Sequence, residues 1–259
     1  MPMFDTQVLF AIAGIAVVGG LIGLDRTAVG QFMISQPIVA GPLVGWMLGD
    51  LRAGIIIGVV LELIWVVDMP VGTFVPANST VSAVSATAIA VLGSHGVATL
   101  PVIGFSLLLT TGMAPVTMMV DTVIRKANSR LVFVASAVSA APSGRTLARA
   151  QLFGLMMFYL KTFVLYLLFL PAGIVAVSLF NHLPEQVHRA MSLFVQLLPF
   201  LGVALIARRL SIKNIDLFLL AGFMIAAVMV RIFHTPALII VLLTITGGWL
   251  GTRYNGLWR

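Results

Sequence analysis

Ile38-Val39-Ala40-Gly41-Pro42-Leu43-Val44-Gly45-Trp46-Met47-Leu48-Gly49 is apolar or small at every position, and Asp50-Leu51-Arg52 follows at once. A helix over this stretch, rising about 1.5 Å per residue, reaches only about half way through a hydrocarbon core of about 30 Å. The next apolar run, 53–67, is also short, and Gly41, Pro42, Gly45, Gly49, Gly54 and Gly58 punctuate the pair. Broken, Gly- and Pro-interrupted helices are tolerated at membrane depth only where protein or a wet cavity satisfies the freed backbone groups, and in transporters they point to the binding site.

Outward from this pair, the rest of the chain reads as membrane. Of 259 residues, 60% are hydrophobic and 9% charged, against roughly 25% charged in soluble domains. Apolar elements are expected at 7–24, 38–49, 53–67, 80–93, 97–120, 152–180, 191–207, 217–230 and 237–251. The predicted fold is therefore an all-α polytopic membrane protein of about nine elements, some of them short broken or re-entrant helices, in a single domain over 1–259. The opening Met1-Pro2-Met3-Phe4-Asp5 lacks a basic n-region, so the first span is expected to be retained.

The net charge of +7 is a topology signal. Arg125, Lys126, Arg130, Arg145 and Arg149 share one connection, Arg208, Arg209 and Lys213 another, and Arg253 and Arg259 close the chain. Alternating elements put all three groups on one side, the cytoplasmic one, with the N-terminus outside and the C-terminus inside. The stretch 125–151 reads as an arm along the cytoplasmic interface. Cations placed in this way give no nucleic-acid footprint. With no cysteine and with His95, His182, His188 and His234 scattered, neither metal nor cofactor is expected. No nucleophile and base pattern points to catalysis by the chain alone.

Polar information is densest at 36–80. Gly54, Gly58, Glu62 and Trp65 share one helical stripe by spacings of four, four and three. The glycines admit another backbone and turn Glu62 toward that interface. A carboxylate within a span is costly unless paired or wet, so it reads as functional by default. Glu62 can accept hydrogen bonds from adjacent sugar hydroxyls while the Trp65 indole covers a C–H face. A structural pairing with Arg52 is the alternative. Asp68 and Asn78 flank an irregular run holding Pro70, Gly72 and Pro76. They would add further hydrogen-bonding groups, although Asn78 is equally suited to N-cap the next helix. Lys161 needs a partner or a snorkelling path, whereas Asp25, Arg26 and Asp121 read as solvated charges at span ends.

The run Gln36-Pro37-Ile38-Val39-Ala40-Gly41-Pro42-Leu43-Val44-Gly45, then Leu48-Gly49-Asp50, Gly54-Ile55-Ile56-Ile57-Gly58 and Leu61-Glu62-Leu63-Ile64-Trp65, with Pro70-Val71-Gly72 and Val75-Pro76-Ala77-Asn78, resembles the IIC subunit of the mannose/fructose/sorbose family of the phosphoenolpyruvate-dependent sugar phosphotransferase system. The resemblance implies a IID membrane partner, trimers of IIC–IID pairs, and cytoplasmic IIA and IIB proteins that carry phosphate on histidines. A hexose or amino sugar would cross the inner membrane between a moving core and a scaffold, with the family's acidic residue falling on Glu62. The family commonly has Arg at the position of Gln36 and Asp at that of Asn78, so a compensated swap and an altered substrate or coupling are both open. Readings from other classes are an ion-coupled or passive transporter and a transport-inactive structural or regulatory subunit.

Overall fold

A computed structural model describes residues 4–65, 75–137 and 144–210. The expected elements at 217–230 and 237–251, and Asp68, lie outside them. The described residues form eight helices: α1 Thr6–Asp25, α2 Pro37–Leu48, α3 Leu51–Trp65, α4 Ser79–Gly93, α5 Leu100–Gly112, α6 Ala114–Ala137, α7 Gly144–Phe180 and α8 Glu185–Leu210. Met1–Leu205 forms one compact unit and Ile206–Arg259 another; the packing below belongs to the first.

Four of these helices are too short to cross a membrane. α2 and α3 have 12 and 15 residues, α4 and α5 have 15 and 13, which at 1.5 Å per residue is about 18–23 Å. They form two hairpins. Pro37 opens α2 at a position where a missing N–H costs nothing. Gly49, with φ 88°, closes it in the left-handed region that suits glycine. Asp50 then starts α3, its Oδ1 accepting the Ala53 N–H at 3.0 Å, while its Oδ2 accepts the Ala98 N–H at 2.8 Å in the α4–α5 connection. One carboxylate, 8% exposed, thus ties the tips of both hairpins.

α2 and α3 touch backbone to backbone. A Cβ on Gly41 would lie 2.7 Å from the Gly54 carbonyl oxygen, and one on Gly45 would lie 2.6 Å from that of Asp50. No side chain fits at such distances, so the expected glycine stripe on α3 meets a second one on α2. α4 fills the centre, nearly all of it buried, because its Ser, Ala, Thr and Gly side chains are small enough for neighbours on all sides.

Among the described residues, three stretches have the length and apolarity to span a membrane: Thr6–Asp25, Leu100–Leu131, in which α5 runs on into α6, and Leu147–Phe180. α1 lies on α7, where Gly19, Gly20 and Gly23 face Tyr166, Tyr159 and Thr162. The element expected over 97–120 divides at Met113, since Pro115 has no N–H to return to the preceding turn. Among the described residues the expected arm forms no separate element: 125–137 continue α6, and 144–151 begin α7.

Lys161 and Asp121 form an ion pair between α7 and α6, with the Lys161 ammonium 4.7 Å from the centre of the Phe158 ring. Lys161 therefore has its partner. Asp121, expected at a solvated span end, is instead 3% exposed; it is buried because a cation packed inside the bundle has to be neutralised there.

Candidate functional site

The open ends of the two hairpins, opposite the tips held by Asp50, gather most of the polar side chains singled out in the sequence. Glu62 lies one turn beyond Gly58 on α3, and the glycine seam brings it beside the first turn of α2. Its Oε2 accepts the Ile38 N–H at 3.3 Å. That N–H is one of the donors a helix start leaves without an internal partner, and the helix dipole favours an anion at this end. Pro42, inside α2, has no N–H to give to the Ile38 carbonyl four residues back. One residue therefore binds the carboxylate through its N–H and lacks the usual donor to its C=O.

Arg52 is not the partner of Glu62. The two are ten residues apart on one helix, about 15 Å along its axis, and Arg52 is exposed. Among the described residues the salt bridges join Lys161 to Asp121 and Arg189 to Glu185. Trp65, on the face of Glu62 by a spacing of three, is partly buried and packs against the apolar core. Its ring is thus held from behind and partly uncovered.

Asn78 serves as the N-cap of α4, its Oδ1 accepting the Val81 N–H at 3.2 Å. Its own N–H donates to Thr117 Oγ1 at 3.1 Å, and the residue is 3% exposed. Of the two roles open in the sequence, capping is the one the geometry displays. Asp68 lies outside the described residues. Among the described residues no group of three or more His, Asp or Glu could hold a metal ion.

The long-range bonds of two charged residues, Asp25 and Arg26, escaped sequence reading. Asp25 is buried, and its carboxylate accepts the N–H groups of Phe32 at 2.7 Å and Ser35 at 3.0 Å. Arg26 donates to Ser79 Oγ at 2.9 Å, to the Ala77 carbonyl at 2.9 Å and to Asn78 Oδ1 at 3.4 Å. The Ser35 carbonyl in turn accepts the Thr80 hydroxyl at 2.7 Å, so the starts of α2 and α4 lie side by side, with Glu62 of α3 bonded to the start of α2. The available signal was an adjacent acid and base at a span end, where topology alone asks for a cation.

The arrangement is a carboxylate and an aromatic face at the junction of two half-length helices, which suits an uncharged, hydroxyl-rich solute. A family model described as the phosphotransferase system sorbose-specific IIC component matches residues 9–250. A mannose-specific EIIC component of Escherichia coli (strain K12) is 25% identical over 227 residues, covering 85% of this chain and 78% of the relative. A sorbose-specific EIIC component of Klebsiella pneumoniae is 25% identical over 202 residues, covering 75% and 71%. A second E. coli K12 protein, provisionally named N-acetylgalactosamine permease IIC component 2, is 38% identical over 91 residues; the match spans 35% of this chain and 61% of that protein. A solved membrane-protein structure superposes with a TM-score of 0.69 at 19% identity, covering 98% of this chain and 96% of the other, and so shares the fold.

Proposed function

Because the chain belongs to the sorbose-specific IIC components of the sugar phosphotransferase system, a family of multi-pass sugar-transport subunits, we propose that it binds a hexose or amino sugar at Glu62 and carries it across the inner membrane with a IID partner, for phosphorylation by IIB. The observation that carries this reading is the Glu62 carboxylate at the start of α2. It is held by one backbone N–H at 3.3 Å, leaves most of its acceptor capacity open, and has no ion-pair partner among the described residues.

Trp65 supplies the apolar face for the sugar ring. Asp68 is assigned as a second hydroxyl acceptor on sequence grounds. Asn78 contributes through the α4 start that it caps, with its amide as a further donor. The names of the relatives, mannose, sorbose and N-acetylgalactosamine components, give the substrate class from which to begin. With the N-terminus outside, the end of α1 and the helix starts bonded to it face the cytoplasm, where IIB would present its phosphoryl group. The basic residues of 125–137 and 144–151, at the far ends of α6 and α7, then lie on the same side.

The test is uptake by inverted or intact vesicles carrying the chain with its neighbouring phosphotransferase subunits. Phosphoenolpyruvate should drive accumulation of sugar phosphate. Accumulation of unmodified sugar driven by a proton gradient and indifferent to phosphoenolpyruvate would replace this reading with ion-coupled transport.

A further inference from the structure

Asp25 and Arg26 occupy the last residue and the C-cap of α1, where charged side chains usually meet solvent. Here both bond to segments distant along the chain instead. The two Asp25 oxygens take the N–H groups of Phe32 and Ser35. Between Asp25 and Ser35 the chain adopts left-handed backbone at Gly30, Gln31 and Met33, with φ of 74°, 55° and 66°. Two of these residues are not glycine, a conformation that persists only where surroundings impose it. The buried carboxylate provides that constraint, and the turn delivers Gln36 and Pro37 to the start of α2. Arg26 points the other way and binds residues 77–79 at the start of α4. The Thr80 to Ser35 bond closes the circuit. α1 itself is seated on α7 through Gly19, Gly20 and Gly23.

We infer that Asp25 and Arg26 form a two-armed positioning element that sets the starts of α2 and α4, and with them Glu62 and Asn78, at the spacing the sugar requires. Neither residue needs to touch the sugar. This rests on the sugar-binding reading above. The guanidinium acts as a planar fork, spreading its donors over three acceptors on consecutive residues, which a lysine ammonium cannot reproduce in full.

The experiment uses the full chain co-expressed with its partner subunits, with mannose and N-acetylgalactosamine as probes. Arg26→Gln should raise KM about tenfold, the scale of a lost charge-assisted hydrogen bond, with Vmax and membrane level little changed. Arg26→Lys should fall between Gln and wild type. Ser79→Ala, which deletes one of the Arg26 acceptors and keeps the charge, should raise KM by a smaller factor, and serves if Arg26→Gln fails to reach the membrane. An unchanged KM in Ser79→Ala and Arg26→Lys, or a fall in Vmax and protein level alone, overturns the inference.

A second readout needs no sugar. The chain has no cysteine, so Ala77→Cys provides a single thiol beside the guanidinium. Maleimide labelling at that thiol should quicken about tenfold in Arg26→Gln as the α4 start loosens. Equal labelling rates would overturn the inference. If wild type takes up neither probe while labelling quickens, the sugar reading fails and the positioning of the helix starts stands.

Discussion

Replacing Gly58 by alanine should drive α2 and α3 apart just below Glu62. A Cβ there would lie 2.6 Å from the Pro37 carbonyl oxygen and 3.0 Å from Pro42 Cδ. A tolerated carbon to oxygen approach is about 3.3 Å, so the helices must separate by roughly 0.7 Å along that contact. The bond from Ile38 to Glu62, already 3.3 Å, would stretch to about 4 Å, beyond hydrogen-bonding distance. Overpacking of this kind costs about 1–3 kcal/mol, against a helix-propensity gain of about 1 kcal/mol for Gly to Ala. The control is Gly14→Ala on α1, where a Cβ meets nothing within 4 Å and only the propensity gain applies. Thermal unfolding of the purified complex should place Gly58→Ala below Gly14→Ala by several degrees, at roughly 2–4 °C per kcal/mol for a domain of this size. Sugar KM should rise in Gly58→Ala alone. Identical unfolding curves for the two variants would refute the claim that the seam is closed at backbone contact.

The buried ion pair gives a second expectation. Lys161→Met leaves the Asp121 carboxylate buried without its partner and should cost about 3–5 kcal/mol, while the double change Lys161→Met with Asp121→Leu should recover most of it; expression and unfolding temperature check both. Asn78→Ala removes the cap of α4 and should destabilise by about 1 kcal/mol. Asn78→Asp keeps the cap and places a charge beside the Arg26 guanidinium, 3.4 Å away, so it should unfold no lower than wild type.

Local chemistry made the short helices legible. Pro37, Gly49 and the Asp50 turn bound α2 within a residue of the expected 38–49, and the α3 glycine stripe faces a backbone as its spacing required. What could not be read was pairing over distance. Asp25 and Arg26 sit at a span end, and nothing near them in sequence says that one holds residues 32–35 and the other 77–79. Asp50 reads only as a charge between two short elements, and nothing near it in sequence says that Ala98 shares its carboxylate with Ala53. Lys161 asked for a counter-ion, yet the choice of Asp121 depends on the packing of α6 on α7. The break at Met113 was masked because apolar residues continue on both sides of it, which hydropathy sums over. Asn78 was open between cap and ligand, and in the structure its Oδ1 accepts the capping Val81 N–H and the Arg26 guanidinium.

Direct sugar binding by Glu62→Gln tests the central claim most sharply. Glutamine keeps an oxygen for the Ile38 N–H, so the seam should hold and the complex should unfold at the wild-type temperature. It cannot act as an acceptor at both oxygens, and calorimetric titration of the intact complex with mannose or N-acetylgalactosamine should show affinity reduced about tenfold or more. Wild-type affinity in a normally folded Glu62→Gln complex would mean that the sugar is held elsewhere.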